Sequence, residues 1–364
     1  MFSLGRFRRI IGLDIGTCFI KAVEARKAGG KLEITNFGVF PTPQGVISNG
    51  RVMDPPKVAN AVKEALNAGG IKGREVCAAV SGGEVIVRHV FFPRMPREEL
   101  AQAVKWEAGA YVPYPVEEAS IDFDVIGAAH DSPDKIEVMI VAAPKGLVAS
   151  HVETMELAGV RPLFLDIQPI TICRVFCDEK SKDAQFFVDI GGGTTDLVYS
   201  EQGVLRFTRI VNIGGNTFTE AIARATKLDF ARAEELKRKV SLLGTDGAQG
   251  DGDIHQDMET GEALGEVAQR LAVEVRRSID YCNAQARVRN GGHSLIESVV
   301  LTGGGSSLNG LREYLEASLG LEVTVGDPLV NVTFSGNSHL AEDLAGYGTS
   351  LAVAVGLAYR GVDG

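Results

Sequence analysis

The residues with the clearest chemical potential lie in VDIGGGTTDLVYS, Val188 to Ser200. Asp189 closes what reads as a buried strand, Gly191, Gly192, Gly193, Thr194 and Thr195 make a turn, and a return strand follows. Glycines let backbone N–H groups close around a phosphate, and a carboxylate beside them can hold a metal that neutralises it. The stretch IIGLDIGTCFIKAVEA repeats the plan near the N-terminus, with Asp14, then Gly16 and Thr17, then a strand carrying Lys21. Two such hairpins suggest two similar half-molecules facing one nucleotide. A third turn, Gly303, Gly304, Gly305 and Ser306, follows a strand and is expected to open a helix, whose N-terminal N–H groups favour a ligand oxygen or ring edge. None of the three fits the phosphate loop GxxxxGKS or the dinucleotide fingerprint GxGxxG. Three glycine turns at strand ends, two with an aspartate at the strand's last position, point to a shared ligand.

The elements that must position these turns can be read in order. Three short strands are expected between Arg9 and Phe40, antiparallel because their connections are short. Asp54-Pro55-Pro56 has the form of a helix start, with Val58, Ala61, Val62, Ala65 and Leu66 on one face and Gly69-Gly70 at the end. A strand from Glu75 to Ser81 returns to the sheet. From Glu84 to Val141 the pattern changes to two or three strands and one helix, the latter opened by Pro96 and closed by Pro113 and Pro115. This is read as an inserted α+β unit, with a hairpin around His130 to Pro133. A helix over Lys145 to Ala158, a strand Pro162 to Ile167 and a helix Pro169 to Cys177 follow, and the polar break 178–183 is the expected hinge. The second half adds a strand ending at Gly214-Gly215, two helices, a solvated loop over 244–261 and a long helix over 264–289. That helix turns Leu271, Val275 and Ile279 inward, and an apolar helix from Gly348 to Tyr359 closes the chain. Asp251, Asp253 and Asp257 lack EF-hand spacing and its terminal Glu, which argues against a calcium loop.

Composition narrows the function. A chain of 364 residues with 45% apolar content suits two or more folded lobes. A net charge of −10 argues against nucleic acid as a partner. The five cysteines, Cys18, Cys77, Cys173, Cys177 and Cys282, sit in apolar contexts and read as packing residues of a cytoplasmic protein. No apolar run has the length of a membrane span. For Trp106 and Tyr111, plain core packing is the expectation, against a partner-contact reading.

DIGTCFIK, DIGGGTTD and LTGGGSSLNGL resemble the two phosphate motifs and the adenosine motif of the actin-like ATPase superfamily. The resemblance implies an α/β fold of two duplicated, RNase H-like lobes around a cleft holding ATP with Mg²⁺. Carried over by position, Asp14 and Asp189 would hold the metal's water shell. Gly16, Thr17 and Lys21 would face one side of the phosphates and Gly191 to Thr195 the other. Gly303 to Ser306 would support the adenosine beside Gly214 and Gly215, with Glu234 and Lys237 reaching ribose and base. The attacking water would be oriented by Gln168, with Asp166 as the other candidate; a neutral Gln implies slow turnover at most.

The segment PRMPREELAQAVKWEAGAYVPYPVEEASIDF is more specific and resembles the PilM family of type IV pilus assembly proteins. AEELKRKV, NTFTEAIARATKLD and VAVGLAYRGV extend that resemblance over essentially the whole chain. It implies a first lobe of 1–83 and 144–183, with a C-terminal helix at 344–362 packing back near the cleft. An inserted subdomain would span 84–143, and a second lobe 184–343 would carry a small subdomain at 226–262. The implied role is a cytoplasmic adaptor, peripheral at the inner membrane, that binds the N-terminal peptide of a PilN-like protein between the first lobe and the insert. Other pilus platform and motor proteins and self-association are further implied partners. The rivals are a sugar or acetate kinase type phosphotransferase and a polymerising protein like FtsA.

Overall fold

The computed structural model describes residues 9–129, 132–177, 184–243, 254–290, 295–335 and 338–363. The chain opens with β1 (Ile10–Ile15), β2 (Phe19–Ala28) and β3 (Lys31–Pro41), paired antiparallel as the short connections require. A two-stranded ribbon, β4 (Ile47–Ser48) and β5 (Arg51–Val52), leads to α1 (Pro55–Ala68). There the Asp54 carboxylate accepts from the Lys57 N–H and caps the helix. β6 (Glu75–Val80) then pairs parallel with β1.

The inserted unit contains β7 (Ile86–Pro93), α2 (Arg97–Ala108), β8 (Ala119–Ala129) and β9 (Ser132–Pro144), forming a sheet of order β7-β9-β8. Leu100, Val104 and Ala108 of α2 pack on Phe92, Val138 and Ile140 in a core of their own. The helix stops at Ala108, before the prolines expected to end it. Trp106 is 86% exposed, which overturns the expectation of core packing. At about 100° per residue it lies roughly opposite the buried Val104.

α3 (Lys145–Ala158), β10 (Arg161–Ile167) and α4 (Gln168–Phe176) return the chain to the first sheet, whose order is β10-β6-β1-β2-β3 plus one more strand. The expected hinge, 178–183, lies outside the described residues. The second sheet starts with β11 (Ala184–Ile190), β12 (Thr195–Glu201) and β13 (Val204–Val211), again three antiparallel neighbours. α5 (Gly215–Thr226), α6 (Phe230–Lys239) and α7 (Ile254–Asn290) follow. β14 (Ser298–Thr302), α8 (Leu311–Leu319) and β15 (Glu322–Val325) complete a sheet of order β13-β12-β11-β14-β15. The two sheets therefore share one plan: an antiparallel triplet extended on its first strand by two parallel strands.

Three expectations are corrected. Residues 254–261, expected as loop, belong to α7; the period of buried Thr260, Leu264, Val267 and Leu271 is diluted in the sequence by Gly261 and Gly265. Asp257 lies on this helix, while Asp251 and Asp253 fall outside the described residues. The third glycine turn does not open α8 directly, because a single tight 3₁₀ turn over Gly304–Ser307 comes first. Finally β16 (Val332–Phe334), from the stretch assigned to the second lobe, pairs parallel with β3 as the sixth strand of the first sheet.

The chain ends with α9 (Ser338–Ala345), a 3₁₀ turn over Gly348–Leu351 and α10 (Ala352–Asp363). Leu357 of α10 and Ile172 of α4 join Ile10 and Ile167 of the first sheet to Phe187 and Val198 of the second in one apolar cluster. These two helices are the shared floor on which the two sheets bring their hairpin turns together.

Candidate functional site

Asp14 and Lys21 face each other across the β1–β2 register, and the Lys21 Nζ donates to Asp14 Oδ2 at 2.6 Å. Asp189 and Asp196 are directly opposite across β11 and β12, so both side chains leave the same face of the second sheet. Burial raises Asp189 to about 7, with Lys21 opposing the shift and Asp14 adding to it. Asp189 thus feels the charge of Asp14 across the junction of the sheets. Lys21 pairs with Asp14 and acts on Asp189. An acidic pair with one ammonium between the two lobes fits a divalent cation held through its water shell. Among the described residues no group of three or more metal-ligating side chains occurs.

The two hairpin turns meet at their tips. A Cβ on Gly192 would stand 2.3 Å from Cys18 Sγ, and one on Gly193 would stand 3.2 Å from Thr17 Oγ1. The Cys18 thiol donates to Asn216 Oδ1 at 3.3 Å, and burial raises its pKa. Gly16 closes its own turn through its N–H to Phe19 O. In the second hairpin Gly191 N–H donates to Thr194 O, and Thr195 Oγ1 donates to Ile213 O at 2.6 Å.

Gly214 and Gly215 join the same place. The N–H groups of Gly215 and Asn216, which start α5, donate to the carbonyls of Gly191 and Gly192. Lys237 Nζ reaches Gly215 O at 3.0 Å, Thr219 Oγ1 at 2.8 Å and Glu234 Oε2 at 2.6 Å. Burial raises Glu234, but hydrogen bonds from Lys237 and Thr219 outweigh it and hold its pKa down. An ordered ion pair therefore stands beside the hairpins.

The third turn abuts the second. Gly303 has φ +81°, and a Cβ there would lie 2.4 Å from Asp189 Oδ1, so the position demands glycine on both counts. Gly304 and Gly305 continue past Ser350 and Ile190. The Ser306 hydroxyl donates to Gly303 O at 2.7 Å and meets Thr349 Oγ1 at 2.9 Å, which pins the turn from behind.

Of the two water-orienting candidates, Asp166 has both oxygens engaged: Oδ2 with Arg174 Nη2 at 2.9 Å and Oδ1 with the Ile167 N–H. Gln168 is half-buried at the first turn of α4. Its neighbours Ile167 and Pro169 line a cavity of about 220 Å³ together with Asp196. Asp196 was not singled out from the sequence, although it ends the DIGGGTTD motif. It is 3% exposed, its Oδ1 has no hydrogen-bond partner, and burial raises its pKa well above the usual carboxylate range. A second unforeseen cluster joins the insert to the second sheet. There His89 and Arg206 both hold Glu137 Oε1, at 3.0 and 2.5 Å, while the other His89 nitrogen meets Leu205 O.

Residues 12–362 match the family model described as type IV pilus assembly protein PilM. The structure of a PilM-PilN type IV pilus biogenesis complex aligns with 97% of this chain and 98% of its own, at TM-score 0.82 and 31% identity. MreB5 of Spiroplasma citri bound to AMPPNP aligns over 96% of this chain and 94% of its own, with TM-score 0.54 and 14% identity, a likeness of fold. Cell division protein FtsA of Pseudomonas aeruginosa is 26% identical over 360 residues, covering 90% of this chain and 85% of that protein.

Proposed function

The chain belongs to the PilM family of type IV pilus assembly proteins and has the actin-like fold, and from that premise we propose that it is an ATP-binding adaptor of the pilus inner-membrane complex. Its lobes are 1–83 with 144–183, and 184–343, with the insert at 84–143, the small subdomain at 226–262 and the terminal helix at 344–362. Strand β16 crosses back to the first sheet, and Leu329 and Leu340 beside it pack on the same core. Among the described residues no helix is long and apolar enough to cross a membrane. The protein works at the cytoplasmic face of the inner membrane by holding the N-terminal peptide of a PilN-like protein between the first lobe and the insert. Other platform and motor proteins, and further copies of the chain, meet it there.

The observation that carries the nucleotide reading is that the Asp14–Lys21 pair acts electrostatically on Asp189 of the other sheet, where the glycine turns of both sheets touch. ATP with Mg²⁺ would be held by Asp14 and Asp189 through the metal's water shell. Its phosphates would lie between Gly16, Thr17 and Lys21 on one side and Gly191 to Thr195 on the other. The base would lie near Gly214, Gly215, Glu234, Lys237 and the Gly303 turn. Because the hairpins come from separate sheets, seating phosphates between them changes the lobe angle and so the partner groove. Turnover is slow, with Gln168 orienting the water.

The test is calorimetric titration of ATP·Mg²⁺ into the native protein and into Asp189→Ala, followed by titration of a PilN-like N-terminal peptide with ATP, ADP or neither. Binding lost in the variant supports the cleft. Equal peptide affinity in all three nucleotide states removes the lobe movement and leaves an adaptor without nucleotide control. ATP-dependent pelleting would instead favour a polymerising protein.

A further inference from the structure

The second sheet has an unusual edge. β13 pairs with β12 on one side, and among the described residues no strand pairs with its other side. The insert hydrogen-bonds its first part, where His89 meets Leu205 O and Arg206 donates to Glu137, and Val85 to Arg88 of the insert share a cavity wall with Thr208 to Ile210. From Arg209 to Ile213 the edge borders a cavity of about 510 Å³ whose other wall is α7, through Gln269, Arg270, Val273 and Glu274. On the opposite side Thr208, Arg209 and Ile210 border the 220 Å³ cavity, whose other walls mix the apolar Val80, Val85, Val87 and Ile167 with the polar Ser81, Arg88 and Asp196. Arg209 and Ile210 line both cavities, so the two flank one strand edge.

An open strand edge offers N–H and C=O groups to an added strand, whose side chains then alternate between its two faces. Here each face has a cavity waiting. On the α7 side Arg209 is neutralised by Glu274 at 2.5 Å, while Arg270, exposed beside Val273, has no carboxylate partner among the described residues. This wall carries a net positive charge in a protein of charge −10. On the junction side the cavity has two buried polar atoms without partners at its wall, Asp196 Oδ1 and Thr208 Oγ1. Buried groups of that kind are stabilised by an incoming hydroxyl or amide.

The geometry points to β13 as a docking edge for an extended peptide segment of a protein partner, with acidic side chains at alternate positions and valine or threonine between them. The acidic residues pair with Arg270 on the α7 side. The β-branched residues enter the junction cavity, where a threonine hydroxyl can serve Asp196. The strand edge belongs to the second lobe, while the junction cavity is also walled by Val80 to Gly83 of the first lobe and by Val85 to Arg88 of the insert, and the edge stands whether or not nucleotide is bound.

The experiment uses the full chain without nucleotide or partner peptide. A fluorescein-labelled decapeptide of alternating aspartate with valine or threonine is titrated by fluorescence anisotropy. A copy with lysine for aspartate and a copy N-methylated at every second residue serve as controls. Binding of the acidic peptide alone is expected, weakened at least about 10-fold by Arg270→Glu, an exposed change that leaves the fold intact by circular dichroism. Trp106→Ala, on the insert, is expected to leave it unchanged. Absence of binding, equal binding of the lysine or N-methylated peptides, or indifference to Arg270→Glu overturns the docking edge. ATP titration in the same samples stays as it was in every case, so failure here is distinct from failure of the nucleotide reading.

Discussion

At the scale of single residues the site is made by close approach rather than by reach. Gly303 is the sharpest instance, because its positive φ and the Asp189 carboxylate 2.4 Å from a Cβ leave no room for alanine. Gly303→Ala is expected to lower stability by about 2–4 kcal/mol, from backbone strain together with overpacking. Urea denaturation measures this, and a loss below about 0.5 kcal/mol, the range of an ordinary surface change, would show that the turn yields freely. Gln168 makes the opposite prediction. Half-buried at the first turn of α4, it is not among the residues that helix buries, so its loss leaves the scaffold alone. Gln168→Ala is expected to bind ATP as the native protein does while losing turnover about 10-fold or more, as for a water-orienting group. Phosphate release in single turnover, set against the calorimetric affinity, separates the two.

At the scale of elements, burial decides what each helix position is worth. Leu100, 2% exposed on α2, packs into the core of the insert, whereas Trp106 on the same helix is 86% exposed. Leu100→Ala is expected to cost about 3 kcal/mol and Trp106→Ala less than about 0.5 kcal/mol. Chemical denaturation of both variants tests the orientation of α2, and a large loss at Trp106 would reverse it. The strands and most helices were legible because glycine, proline and cap residues punctuate them, as at Asp54 and at Gly159, where φ is +78°. The three glycine turns could be read for the same reason, since strand ends and glycine runs are local signals. What could not be read lies between elements. β16 is three residues long and gains its place only by pairing with β3, and Trp106 faces outward because the three-stranded sheet takes the other face of α2. Asp196 was within the motif, but its burial comes from packing at the lobe junction, which no spacing records.

At the scale of the whole molecule, beside the apolar floor of α4 and α10 and the pairing of β16 with β3, two contacts between the lobes stand out. One is the meeting of hairpin tips at Thr17, Cys18, Gly192 and Gly193. The other is the clamp in which Glu137 of the insert takes hydrogen bonds from His89 of the insert and Arg206 of the second lobe, with Glu201 3.8 Å from Arg206 on its far side. Burial alone would raise the Glu137 pKa. The hydrogen bonds from His89 and Arg206, with their charge, win and hold it at about 2 against an ordinary 4.5. A carboxylate with a depressed folded pKa contributes its stability in full above the unfolded value and loses it as pH falls through the folded one. The clamp is therefore intact above about 4.5 and released between about 4.5 and 2. With solvent screening of a half-buried pair allowed for, the release is worth about 1–2 kcal/mol. Glu137→Gln cannot titrate, so its melting temperature is expected to be lower near neutral pH and to fall less steeply through that window than in the native protein. Because the clamp bridges two units, amide exchange is expected to quicken in β7 and β13 together in the variant. Quickening of one strand alone would mean that Glu137 supports its own sheet and that the lobes are held by the floor and the hairpin tips.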